Sequence, residues 1–198
     1  MGDRRLTLDD IADARAYERE REEFRARIIE LKRRRRVHLG LFLTLVFENR
    51  DTIRFQIQEM ARVERTVTDE GILTELAVYN PLIPEPGHLS ATLFLELRTD
   101  DQMREWLPKL VGIERSLVLR FGGHEVRCIP EAGHEAQLTR EEATAAVHYV
   151  AWSFTPEEVA DWGTGPVELV CDHPDYLEAV SLGDATIGEL RRDLGPDA

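Results

Sequence analysis

The stretch from residue 37 to residue 47 constrains the fold more than any other part of the chain. An apolar side chain stands at every second position, at Leu39, Leu41, Leu43, Leu45 and Phe47. Alternate side chains of a β-strand share one face, and the opposite face here carries Phe42, Thr44 and Val46. A strand that is apolar on both faces is typical of the interior of a sheet. The pattern therefore predicts one long, buried central strand.

A polar turn and an amphipathic helix follow this strand. Asn49 or Asp51 can accept hydrogen bonds from the free amides at the start of the helix. Strand ends are favoured ligand positions in open α/β sheets. We therefore predict a binding site for a metal or a small anion from five polar residues at this place, Glu48, Asn49, Arg50, Gln56 and Glu59. The simpler alternative is a capped turn followed by a solvated helix face.

Four arginines come directly before the central strand, in the last turn of a helix. These residues are Arg33, Arg34, Arg35 and Arg36. The helix dipole favours cations at this end of a helix, and arginine side chains also hold phosphate or carboxylate groups well. The cluster is therefore either a stabilised helix end or a contact for an anion or a partner. A single strand over residues 37–47 would be about 36 Å long, so we do not expect Arg50 to join this cluster in one site.

The net charge of −13 is unevenly distributed along the chain. Residues 1–36 contain 12 Lys and Arg against 9 Asp and Glu, whereas residues 131–198 contain 3 against 15. This asymmetry permits an electrostatic partner for either end, or docking of one end on the other. The acidic total argues against general binding to nucleic acid, because such binding requires basic surface that neutralises phosphates.

The order of these patterns predicts a single domain of the α+β class. Residues 1–36 form a long, charged helical segment, and residues 37–198 form the core, whose last third (131–198) is acidic. We predict a mixed or largely antiparallel sheet of about six strands with helices packed on it.

Three local patterns refine this expectation. The alternating runs on either side of Gly122 and Gly123 predict a hairpin. The spacing of Thr139 and Glu142 is that of a helix-capping box. Residues 145–154 fit either a helix or a strand, and we favour a strand from about residue 147.

The sequence indicates a cytoplasmic protein without membrane contact. No segment approaches the roughly 20 apolar residues of a membrane span, and the N-terminus has no apolar signal core. Cys128 and Cys171 lie in apolar runs and are predicted to be buried thiols. The chain has no C-x-x-C motif, so we expect no Fe–S cluster of its own, and we predict no cofactor.

Sequence motifs of known enzymes are missing from this chain. It contains no G-x-S-x-G, no P-loop, no G-x-G-x-x-G and no H-E-x-x-H. His148 and Cys171 would form a base and a nucleophile only if their strands were neighbours. Residues 85–88 and 131–134 have the Glu-x-x-His spacing of di-iron carboxylate sites, but each contains a glycine that favours a loop over the helix such sites need.

Five runs of sequence resemble a bacterial family that carries only a domain-of-unknown-function label. These runs are RRRRVHLG, FENRDTIRFQIQEM, YNPLIP, LSATLFLEL and WLPKLVGIER. The resemblance covers residues 6–120 well and the acidic remainder more loosely. It implies a role beside peroxide or thiol redox chemistry, because genes of this family often lie next to those of rubrerythrin-like and heterodisulfide-reductase-like Fe–S proteins. It implies no catalytic residues.

Two functions are consistent with these observations. The first is an accessory or interaction protein of a cytoplasmic redox system, which docks on a protein partner through its charged N-terminal helix. The second is a small enzyme or ligand-binding domain that uses the polar cluster after the central strand. A homodimer formed through the helix at residues 18–36 is a further prediction.

Overall fold

The computed structural model describes residues 4–131 and 143–195. The described residues contain six α-helices, which are α1 (Ala14–Arg35), α2 (Arg50–Glu64), α3 (Asp69–Tyr79), α4 (Asp100–Lys109), α5 (Pro156–Asp161) and α6 (Asp184–Leu194). They also contain nine strands, which are β1 (Arg36–Leu39), β2 (Leu43–Phe47), β3 (His88–Leu95), β4 (Leu117–Phe121), β5 (His124–Arg127), β6 (Ile129–Pro130), β7 (Val147–Ser153), β8 (Val167–His173) and β9 (Tyr176–Ser181).

The strands form two antiparallel sheets. One sheet has the order β1-β2-β3-β7-β6, and the other has the order β5-β4-β8-β9. The two sheets enclose the main apolar core, to which each contributes side chains such as Leu45 and Leu93 from the first and Leu119 and Leu169 from the second. The α+β class, the antiparallel strands and the charged N-terminal helix are therefore confirmed, with the strands divided between two sheets.

Helices cover the outer face of the five-stranded sheet. Ile53 and Ile57 of α2 pack with Leu76 of α3 in a second apolar cluster. Phe24 and Ile28 of α1 form a third cluster, against which Phe55 of α2 packs. The apolar stripe of the charged helix α1 is thus buried within the chain itself.

The prediction of one long central strand is wrong, because residues 36–47 form a hairpin. Strands β1 and β2 pair antiparallel with Arg36 opposite Val46. Gly40 turns the chain with a positive φ of 67°, a conformation that costs glycine little. Leu41 lies at the tip and is 89% exposed. The Tyr176 hydroxyl holds this turn, donating to Leu39 O at 2.8 Å and accepting from Phe42 N at 3.3 Å.

Several other predictions can be compared with the structure. The hairpin around residues 122–123 is confirmed as β4 and β5, and the favoured strand from residue 147 is confirmed as β7. Thr139, Glu142 and His134 lie outside the described residues. No helix in the described part of the chain is long and apolar enough to cross a membrane.

Candidate functional site

A small polar cavity lies between the outer face of the five-stranded sheet and the helices that cover it. Its volume is about 150 Å³. Strands β2, β3 and β7 contribute its floor, and α2 and the end of α3 contribute its walls. The polar side chains that line it are Glu48, Gln56, Tyr79, Thr92 and Tyr149, together with Lys32 and Arg36.

Glu48 is the acidic group of this cavity. The alternation of β2 places Leu45 and Phe47 in the core between the sheets and therefore turns Val46 and Glu48 to the outer face. The residue is only 6% exposed. Thr92 on β3 donates a hydrogen bond of 2.7 Å to its Oε1.

The other carboxylate oxygen of Glu48 has no hydrogen-bond partner among the described residues, and no described Lys, Arg or His forms an ion pair with this side chain. Burying a charge in this way is unfavourable unless a partner compensates it. Glu48 is therefore a buried acid with spare hydrogen-bonding capacity that faces a cavity.

Two tyrosines line the same cavity. Burial raises the pKa of Tyr79, while its hydrogen bond with Gln56 acts in the opposite direction. Burial also raises the pKa of Tyr149, with smaller contributions from Tyr79 and from the negative charge of Glu48. Both hydroxyls therefore stay protonated at neutral pH, so each can donate a hydrogen bond.

A basic groove adjoins the cavity. It has a volume of about 400 Å³ and is lined by Ile29, Lys32, Arg33, Arg36 and His38. Lys32 and Arg36 line both the groove and the cavity. Arg36 and His38 lie on β1, and their alternation places both on the outer face. Positive charge therefore stands beside a cavity whose inner acid is negative.

The structure separates the other predicted ligand residues from Glu48 and Gln56. Glu59 accepts hydrogen bonds from Tyr17 Oη at 2.7 Å and from Arg21 Nε at 2.7 Å. The bond from Arg21 is the main reason that the pKa of Glu59 is lowered to about 2. These bonds connect α1 to α2, so Glu59 has a structural partner already.

Asn49 and Arg50 also have partners outside the cavity. The Asn49 side chain caps α2 by accepting from Thr52 N at 3.0 Å, as the capped turn in the sequence suggests. Arg50 pairs with Asp10, which lies in the short 3-10 turn before α1. Of the five predicted residues, Glu48 and Gln56 alone belong to the lining of this cavity.

The four arginines have separate environments. Arg35 is 1% exposed and forms a two-pronged ion pair with Asp193 of α6, with Nη1 and Nη2 at 2.7 and 2.8 Å from the carboxylate oxygens. Arg34 pairs with Glu189 at 3.2 Å. Arg33 pairs with Glu30 on the surface. The basic end of α1 is therefore docked on the acidic C-terminal helix, which is one of the alternatives that the charge asymmetry permits.

The strand length that was the reason for separating Arg50 from these arginines is also wrong. That separation assumed a strand of about 36 Å, whereas the hairpin returns the chain to its starting end. As a result, Arg35 Nη1 lies 3.4 Å from the backbone oxygen of Glu48.

His148 and Cys171 form no catalytic pair in this fold. His148 lies on β7 of the five-stranded sheet, whereas Cys171 lies on β8 of the other sheet, so their strands are not neighbours. Both predicted buried thiols are confirmed. Burial raises the pKa of Cys128 to about 12 and that of Cys171 to about 11, which leaves little thiolate at neutral pH. The described residues contain no group of three or more His, Cys, Asp or Glu that could hold a metal ion.

The comparisons with known proteins agree with the resemblance to a family of unknown function. A family model described as "Protein of unknown function (DUF3501)" matches residues 5–194. The chain belongs to the DUF3501 family. A crystal structure described as a novel protein of unknown function from Burkholderia pseudomallei K96243 is 36% identical to this DUF3501 chain, with a TM-score of 0.89. The match covers 96% of this chain and 99% of that one. No curated protein matches.

The sequence does not predict four polar lining residues of this DUF3501 chain, namely Lys32, Tyr79, Thr92 and Tyr149. One signal is present in the sequence, because the outer face of β3 carries three polar residues, His88, Ser90 and Thr92. Tyr79 comes from the end of α3, and its place beside Glu48 depends on how α3 packs. Sequence periodicity identifies faces of single elements and does not show which faces meet.

Proposed function

We propose that this protein is a ligand-binding domain and that the cavity beside Glu48 takes a small polar molecule. The buried carboxylate of Glu48 carries the proposal, because Thr92 alone among the described residues hydrogen-bonds to it. A ligand that donates hydrogen bonds to the second oxygen would offset the cost of burying this charge.

The size and lining of the cavity support this proposal. A volume of 150 Å³ corresponds to about five water molecules at roughly 30 Å³ each. Few atoms fit, so the buried part of the ligand is compact. Convergent polar groups on a concave surface are typical of sites that orient a small molecule, and Gln56, Tyr79 and Tyr149 supply such groups here.

Binding experiments with small probes test the proposal. We expect simple amines, hydroxylated compounds or zwitterions from a panel to raise the melting temperature of the wild-type protein and to show saturable binding in calorimetry. Glu48→Gln should weaken that binding at least tenfold, because it removes the charge while preserving the shape.

Glu23→Gln provides the matched control. Glu23 is an exposed residue of α1, so this variant should bind the same probes with wild-type affinity. If no probe binds, or if both variants lose affinity equally, the cavity is not a ligand site.

A second candidate function comes from the family resemblance, and an exposed apolar surface favours it. In this proposal the protein is an accessory component of a cytoplasmic redox system, has no Fe–S cluster of its own, and binds an Fe–S protein of the rubrerythrin-like or heterodisulfide-reductase-like type. The exposed apolar residues are Val63 in the last turn of α2, Val67 in the loop that follows, and Leu73 and Val78 on α3. Exposed apolar patches often mark protein interfaces.

Gel filtration of mixed purified proteins tests this second candidate. We expect co-elution with one of those redox proteins, loss of co-elution for Leu73→Glu, and no change for Leu177→Glu, which alters an exposed leucine on β9. If the wild-type protein and the redox protein elute separately, a stable complex between those two proteins is excluded. Light scattering of the protein alone tests the predicted homodimer.

A further inference from the structure

We infer that the ligand of the Glu48 cavity carries an ammonium group at one end and an anionic group, carboxylate or phosphate, at the other. This inference rests on the ligand-binding function proposed above. It adds the chemical class of the ligand and the direction in which it lies.

The buried end of the cavity is suited to an ammonium group. One carboxylate oxygen of Glu48 accepts a hydrogen bond of 2.7 Å from the Thr92 hydroxyl, and the other has no hydrogen-bond partner among the described residues. Tyr79 and Tyr149 also line this space, and tyrosine side chains attract cations through the faces of their rings. An ammonium group would donate a second hydrogen bond to Glu48 and would place a positive charge in direct contact with its carboxylate.

The open end is suited to an anion. Lys32 has no carboxylate partner among the described residues, and its Nζ lies 5.9 Å from the centre of the Phe55 ring. Arg36 Nη1 lies 3.8 Å from Glu96 Oε1, which is too long for a hydrogen bond. Both cations therefore keep donors for another acceptor, and both line the cavity and the groove.

The two ends together select a ligand with both charges. A ligand with only a positive charge would be repelled by Lys32 and Arg36 at the open end. A ligand with only a negative charge would be repelled by Glu48 at the buried end. Opposite charges on one molecule match both ends, and like charges are rejected by repulsion. The small inner volume requires a short linker between the charged groups.

Calorimetry with four matched probes tests this inference on the whole protein. β-Alanine has both charged groups, 3-aminopropanol lacks the carboxylate, and 3-hydroxypropionate lacks the ammonium. 2-Aminoethyl phosphate replaces the carboxylate by phosphate. We expect β-alanine or 2-aminoethyl phosphate to bind at least tenfold more tightly than either single-charge probe, and the tighter of the two identifies the anionic group.

Variants assign each charge to its end of the site. Glu48→Gln should reduce the preference for β-alanine over 3-hydroxypropionate by about tenfold, because the bond to the ammonium loses one charge. Lys32→Gln and Arg36→Gln should instead reduce the preference for β-alanine over 3-aminopropanol. Arg25→Gln, at an exposed position of α1, should change neither ratio.

The outcomes separate this inference from the function on which it rests. If 3-aminopropanol binds as tightly as both two-ended probes and still requires Glu48, the ligand class is wrong while the ligand-binding function stands. If none of these probes binds and the wider panel also fails, the proposed function is wrong and the inference fails with it.

Discussion

Asp193 and Glu48 are both buried acids, but their surroundings differ. Asp193 is 4% exposed and Glu48 is 6% exposed. Arg35 donates two hydrogen bonds to the Asp193 carboxylate, at 2.7 and 2.8 Å. The Glu48 carboxylate accepts a hydrogen bond from the Thr92 hydroxyl and forms no ion pair with any described residue. The comparison shows that burial alone does not indicate function, because the fold supplies a directly paired cation to Asp193 and only a hydroxyl to Glu48.

The same arginine lies beside both acids and neutralises only one of them. Arg35 Nη1 reaches the backbone oxygen of Glu48 at 3.4 Å, while its guanidinium faces the carboxylates of Asp193 and Glu189. Arg35 therefore fixes the position of Glu48 through the backbone without compensating its side-chain charge.

The largest effect is expected from removing the satisfied charge. Arg35→Met leaves Asp193 and Glu189 buried without their cation, and breaking a buried ion pair in this way costs about 3–5 kcal/mol. Denaturant unfolding measures this loss. Arg33→Met, which changes an exposed arginine of the same helix, should alter the free energy of unfolding by no more than about 0.5 kcal/mol. Equal losses in the free energy of unfolding for the two variants would show that the buried ion pair stabilises the protein no more than the exposed one.

The next effect concerns Glu59, a third acid that has its cation at a half-buried site. Its hydrogen bond from Arg21 lowers its pKa to about 2, from an ordinary value of 4.5. A lowered folded-state pKa stabilises the protein above the unfolded value, and this stabilisation is lost as pH falls from about 4.5 towards 2. The loss is at most about 3 kcal/mol, because one pKa unit corresponds to about 1.4 kcal/mol.

Unfolding curves of the wild type and Glu59→Gln over this pH range isolate the contribution of Glu59. The difference in free energy of unfolding between the two proteins should be largest above pH 4.5 and should shrink steadily below it. A difference that stays constant across the range would contradict the assigned ion pair with Arg21.

A smaller effect is expected at the hairpin that brings Arg35 close to Glu48. A Cβ atom at Gly40 would meet Tyr176 and Glu178, and the residue has a positive φ. We expect Gly40→Ala to destabilise the protein by more than about 1 kcal/mol. Gly188→Ala provides the control, since Gly188 lies in α6 with nothing within 4 Å of an added Cβ. It should stabilise the helix by about 0.5–1 kcal/mol.

The smallest effect on stability is expected at Glu48 itself, and it has the opposite sign to that at Arg35. Glu48→Gln removes a buried charge that has no described counter-ion and keeps an oxygen for the Thr92 hydroxyl. We expect a gain of about 0.5–2 kcal/mol, which is the usual size of a single stabilising substitution. Thermal unfolding of the ligand-free protein measures this change, and a loss of several kcal/mol would place Glu48 with Asp193 as a structural acid.

The class of the fold could be predicted from the sequence because strand alternation and helix periodicity are local properties. The hairpin β4–β5 followed from a Gly-Gly pair between alternating runs. The hairpin at Gly40 did not, because apolar residues continue in alternation on both sides of it and hide the turn. Tyr176, which holds that turn, lies 137 residues away from Leu39, and no local pattern reveals such a contact.

The candidate site could be predicted only in part for the same reason. Glu48 and Gln56 follow from a strand end and the next helix, which are adjacent in sequence. Tyr79 and Tyr149 reach the cavity from α3 and β7, so their roles depend on tertiary packing. Arg50 and Glu59 have the right residue types but pair with Asp10 and Arg21 near the N-terminus.

The ion pair between Arg35 and Asp193 also bears on the order in which the protein is synthesised. These residues are separated by 158 positions, so Arg35 leaves the ribosome long before its partner exists. Until α6 has been translated, the guanidinium remains hydrated and the end of α1 has no surface on which to dock. Domains form while their chains are still being made, and here Arg35 at the basic end of α1 gains its ion-pair partners only after α6 has emerged.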